Sequence, residues 1–127
     1  MDMVSIIEKN FVIRTSRSIF KNLLCSSFGE SAGEAILFLL RKELGCDPFE
    51  MLWDNPEAVF NALKEIFGVG TRILIDTLLM RINQEYGLNV SLKCILHHTY
   101  NDRWSQAKVK EVRSFLRRVV QLHERKK

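Results

Sequence analysis

The chain has 127 residues, 46% of them hydrophobic and 27% charged. That composition fits one globular domain with a single core and excludes intrinsic disorder, and no apolar run nears the roughly 18 residues of a bilayer span. The formal net charge of +4 hides a split: residues 1–92 carry nine Lys/Arg and twelve Asp/Glu, net −3, whereas residues 93–127 carry ten and three, net +7.

The opening Met1-Asp2-Met3-Val4 has no cationic stretch before an apolar one, so no signal peptide is expected. Cys25, Cys46 and Cys94 are odd in number and form no C-x-x-C. A disulfide framework is therefore not expected, and a cytoplasmic, reducing location is.

In chain order, the apolar spacing is helical throughout, with no sustained period-two alternation. Ile6/Ile7, Phe11 (or Val12), Ile19/Phe20 and Leu23/Leu24 predict a first helix within 3–27, with room for a break at Thr15–Ser16, ended by Gly29. Ser31-Ala32-Gly33-Glu34 reads as a capping box opening a second helix that stops at Gly45. Residues 35–40 make that helix apolar nearly all round, the mark of a central helix. Asp47-Pro48 predicts a short helical turn through Trp53. Asn55-Pro56-Glu57 predicts a helix start with Asn as cap and Pro at the first position, running to Phe67 and Gly68. The next helix, from about Gly70 to Tyr86, is the second nearly all-apolar one. Short helix is expected over 92–98, a loop over 99–102, and a final helix over 104–124.

A weak repeat links these elements. Phe28-Gly29 and Phe67-Gly68 stand 39 residues apart, and Ile36, Leu39 and Leu40 fall on Ile75, Leu78 and Leu79 at that offset. The pattern predicts two helical hairpins whose apolar second helices pack together.

The stretch Asn55-Pro56-Glu57-Ala58-Val59-Phe60-Asn61-Ala62-Leu63-Lys64-Glu65-Ile66-Phe67-Gly68-Val69-Gly70, with the earlier Phe28-Gly29 hairpin, resembles a family of small archaeal helical proteins named as a Nitrosopumilus output domain. The resemblance covers roughly residues 10–90. It implies an all-α domain, an archaeal source and a role in regulation or signal output, and it supplies no catalytic residues.

Ile66-Phe67-Gly68-Val69-Gly70-Thr71-Arg72 is similar to a helix-hairpin-helix element, in which a Gly-hydrophobic-Gly turn exposes backbone N–H groups to a DNA phosphate at a helix start. Gly68 and Gly70 would supply the open backbone, and Thr71 and Arg72 the polar contacts. That pattern favours Pro where Phe67 stands and a small residue where Leu74 stands. The alternative is a helix stop followed by a helix start, with Val69 packed inward. A recognition helix over 71–86 is excluded, since it presents too few polar side chains to base edges.

The last helix carries an inward stripe of Val112, Phe115/Leu116, Val119 and Leu122. Lys110, Arg113 and Arg117 form another face, with Arg118 on a neighbouring line. Such a face tracks phosphates, sits on an anionic membrane or acidic protein, or is merely solvated. Cys94, His97 and His98 would share one side of a helix and are the weak candidates for a metal, beside the reading of a buried Cys and two surface His. No catalytic cluster and no nucleotide-binding glycine loop is found.

The expectation is one all-α domain over 1–127 of five or six helices, a body over 1–90 with a basic extension over 91–127, and no cofactor. Its function would be non-enzymatic interaction or regulation, with self-association into a homodimer covering the apolar helices. The alternative is nucleic-acid binding through Gly68, Gly70, Thr71, Arg72, Lys110, Arg113, Arg117 and Arg118.

Overall fold

The computed structural model describes residues 3–88 and 106–126, which form six helices and no strand among the described residues. They are α1 (Met3–Phe28), α2 (Glu30–Leu44), α3 (Pro48–Asp54), α4 (Pro56–Phe67), α5 (Gly70–Tyr86) and α6 (Gln106–Lys126). The all-α expectation holds. The short helix over 92–98 and the loop over 99–102 lie outside the described residues.

The first helix is unbroken. Thr15–Ser16 is ordinary helix, and Ser16 is buried. A single residue, Gly29, joins α1 to α2 at φ 95°, ψ 154°, a conformation essentially closed to side chains bearing a Cβ. The chain therefore doubles back at once, and the two helices cross closely. An added Cβ on Gly33 would stand 2.9 Å from the Cys25 backbone nitrogen. The capping box does not form: α2 starts at Glu30, one residue before Ser31, and its N-cap is Gly29 with no side-chain hydrogen bond. The tight link fixes the start before Ser31 can cap it.

Asp47 caps α3, accepting from the Phe49 backbone N–H at 3.4 Å. Pro56 opens α4 as expected, but the Asn55 side chain makes no capping bond. Gly45 and Gly87 close α2 and α5 in the left-handed conformation.

Two apolar clusters share Leu37, Leu52, Phe60, Ile75 and Leu78 at their border. The first holds Val12, Ile19, Trp53, Ile82 and the α6 residues Val112, Leu116, Val119 and Val120. The second joins Leu24 and Leu40 to Val59, Leu63 and Leu74. Ile82 and Val119 are fully buried. The basic C-terminal helix is thus a wall of the core. Its buried stripe is Val112, Leu116, Val119 and Val120, with Phe115 and Leu122 half-buried.

The two apolar helices are not central. The middle place belongs to α1, which packs against α2, α3, α5 and α6. On α2, Phe38 is 65% exposed, and on α5 Ile73 is 69% exposed. Nor do α2 and α5 form the expected close pair: α2 packs chiefly on α1 and α4, and α5 on α1, α4 and α6. The apolar repeat identifies two helices with more apolar surface than one small core can take in.

Candidate functional site

The turn at 68–70 and the basic face of α6 are the sequence-predicted sites. Gly68 adopts φ 55°, ψ −127°, open only to glycine, and its backbone N–H donates to the Lys64 carbonyl at 2.8 Å. Val69 is 92% exposed, not packed inward. Gly70 is the first residue of α5, and an added Cβ there would meet only the Phe67 Cβ, at 3.9 Å. Thr71 is buried, and its hydroxyl donates to the Leu63 carbonyl at 2.9 Å. Thr71 is therefore a core hydrogen-bonding residue that ties α5 to α4, and is turned away from any phosphate. Arg72 is exposed.

On α6, Lys110 and Arg118 are exposed. Arg113 and Arg117 are engaged by the fold. Arg113 Nε donates to the Trp53 carbonyl at 2.8 Å, and its guanidinium lies 5.4 Å from the Trp53 ring centroid. Arg117 lies 5.0 Å from the same centroid and pairs with Glu8. Two guanidinium groups thus brace the buried Trp53 and pin α6 to α3 and α1. A count of positive charge by helix face cannot find this, because it rests on where Trp53 lands.

The C-terminal ends of α5 and α6 meet. The Tyr86 hydroxyl shares a hydrogen bond with His123 Nδ1 at 3.0 Å, and Lys126 Nζ reaches both the carbonyl and the carboxylate of Glu85. Burial, with the Glu85 charge as the lesser cause, raises the Tyr86 pKa above its ordinary value. Glu85 pairs with Lys126, and Arg81 donates to the Ser26 hydroxyl at 3.1 Å. Lys126 sits where a cation offsets the negative ends of both helices. The 68–70 turn lies at the other end of α5, some 24 Å along the helix from Tyr86.

Cys94, His97 and His98 lie outside the described residues. Among the described residues no cluster of His, Cys, Asp or Glu has the arrangement to hold a metal, Cys25 and Cys46 are unpaired thiols, and no helix is long and apolar enough to cross a membrane.

The remaining candidate is the outer face of α2, the helix whose apolar run over 35–40 predicts a central place. With about 3.6 residues per turn, Ser31, Glu34, Ala35, Phe38, Arg41 and Lys42 share one side, and all are exposed. Phe38 sits at the middle of this strip. Glu34 lies one turn before it and Arg41 one turn after it, on the same flank. Neither forms a salt bridge among the described residues.

Set against known protein families, curated proteins and solved structures, the chain matches none.

Proposed function

We propose that this chain is a non-enzymatic helical interaction module of regulatory type that self-associates through the outer face of α2. The observation that carries the reading is the exposed Phe38 between an acid and a base on one strip. A large aromatic side chain 65% open to water is a natural anchor for an interface.

The occupant this face fits is a second copy of itself. Two α2 helices laid antiparallel about a two-fold axis at Phe38 stack the two rings. The same operation sets Glu34 of each copy opposite Arg41 of the other, so the charges complement twice. A parallel arrangement would set like charges together. The 15 residues of α2 span about 22 Å, short for a standard interface of roughly 1,600 Å², so the expected dimer is a micromolar one. The unpaired cysteines and the lack of a spanning helix among the described residues fit a cytoplasmic setting. The signal-output role and archaeal source rest on the family resemblance of residues 10–90.

Charge exchange tests the reading. Size-exclusion chromatography with light scattering should find a concentration-dependent dimer for the native chain and a monomer for Glu34→Arg. The double variant Glu34→Arg/Arg41→Glu should recover the dimer. A native chain that stays monomeric at high micromolar concentration, or a double variant that behaves like the single, would refute it.

The nucleic-acid reading retains Gly68, Gly70, Arg72, Lys110 and Arg118 as surface residues. It is the lesser one because Thr71, Arg113 and Arg117 already serve the fold.

A further inference from the structure

A cavity of about 120 Å³ lies at the heart of the bundle, where the two apolar clusters meet. All six helices contribute to its wall, and every lining residue is apolar. Of its lining residues Leu79, Ile82 and Leu116 are buried, and Leu37, Ile75 and Leu78 are half-buried.

Protein interiors are normally packed with few voids larger than a water molecule. Water is a poor occupant here, since a buried water needs two to four polar partners and the wall offers only hydrocarbon. An apolar cavity of about 150 Å³ stays dry and takes up benzene or xenon, so this one is near the size of a single ring. Val59 and Val112 both line it, and one extra methylene at either would shrink it.

We propose that this cavity is a binding site for a small neutral apolar ligand: a single ring, or the end of an alkyl chain of comparable size. No charged or hydrogen-bonding atom enters the site, and any polar head remains outside it. Because the wall draws on all six helices, an occupant stiffens contacts between every pair that meets there. Ligand binding is thereby linked to the packing of the whole bundle.

Methyl-resolved NMR of the full chain, titrated separately with benzene and with hexanol, tests the site. Saturable shifts confined to the Leu, Ile and Val methyls of the wall are expected, with a thermal midpoint raised by about 5 °C at ten times the dissociation constant. Saturation by hexanol alone assigns the site to alkyl tails, and by benzene alone to rings; both support it. Val112→Leu should fold and weaken binding at least tenfold, with Val59→Ile as the second filling variant. Absence of saturable shifts with both probes, or filling variants that fold and bind as the native chain does, would overturn the proposal. Repeating the titration on Glu34→Arg separates this site from self-association, because the cavity lies inside each protomer.

Discussion

Replacing Gly33 by Ala tests the way the first hairpin is built. An interior helical glycine replaced by Ala ordinarily gains up to about 1 kcal/mol, since Ala has the best helix propensity and Gly nearly the worst. At Gly33 the sign should reverse. The new Cβ would lie 2.8 Å from Cys25 Sγ, 2.9 Å from its backbone nitrogen and 3.0 Å from its Cα. The sulfur is able to swing aside, but the nitrogen and Cα belong to the backbone of α1. Ordinary contact requires α2 to retreat by about 0.5–1 Å, and Gly29 alone joins the helices, so the strain is not absorbed in a loop. Such overpacking costs roughly 1–3 kcal/mol. Subtracting the propensity gain leaves a net loss centred on about 1 kcal/mol, and at most about 2 kcal/mol, with a midpoint lower by a few degrees. Urea unfolding followed by circular dichroism reads the change. The control is Gly70→Ala, where the nearest atom is 3.9 Å away and stability should hold or rise. A Gly33→Ala chain more stable than the native one, by the full helix-propensity gain, would refute the close crossing of α1 and α2.

Three further outcomes follow from the site geometry. Arg113→Ala should cost about 2 kcal/mol, losing a charged hydrogen bond and a cation–π contact, and should red-shift Trp53 emission; Arg117→Ala, losing an exposed ion pair and its own contact with the Trp53 ring, should cost about 1 kcal/mol. The Tyr86 phenol should titrate above its ordinary value of 10.0. Because its folded pKa is the higher, the stability it contributes is complete below that value and is lost as pH climbs through the folded one; alkaline unfolding of Tyr86→Phe should lack this component. Binding to a short DNA duplex, followed by fluorescence anisotropy, should be weak at low salt and vanish at physiological salt, and Lys110→Ala and Arg118→Ala should each lower the salt slope by about 1 if phosphates are contacted.

Helix boundaries were legible in the sequence wherever one residue decides them. Gly45, Gly68 and Gly87 end helices as read, and Pro56 starts one. The start of α2 was not legible, because Ser31 and Glu34 carry the local signal of a cap while the one-residue link at Gly29 moves the boundary ahead of it. The burial of α2 and α5 is illegible for a different reason. Periodicity reports how much of a helix is apolar, and a run such as 35–40 has no polar side to say which way it faces. What the sequence read as a central helix is a helix with a buried face toward Leu24 and Leu63 and an exposed face at Phe38.

The site was less legible still, and for reasons of tertiary placement. Thr71 looked like a polar contact at a helix start, yet it lies eight residues from the Leu63 carbonyl it bonds, a distance that the close approach of α4 and α5 erases. Arg113 and Arg117 looked like half of a phosphate-binding face until Trp53, some 60 residues earlier in the chain, occupied the space beneath them. The central cavity has no sequence signature at all, since its wall is drawn from six helices by apolar residues that would equally suit a filled core.

The most direct test of self-association uses the symmetry it requires. Antiparallel pairing about Phe38 sets Ala35 of one copy opposite Lys42 of the other, both exposed on α2. Ala35→Cys/Lys42→Cys, which keeps the Phe38 anchor, placed in a chain with Cys25, Cys46 and Cys94 changed to Ser, should form a disulfide-linked dimer under mild oxidation. Asn61→Cys, exposed on α4, should not. Efficient, dilution-resistant cross-linking by the 35/42 pair alone is the predicted result. A chain that stays monomeric with that pair, or that cross-links equally well at position 61, would contradict an interface centred on Phe38.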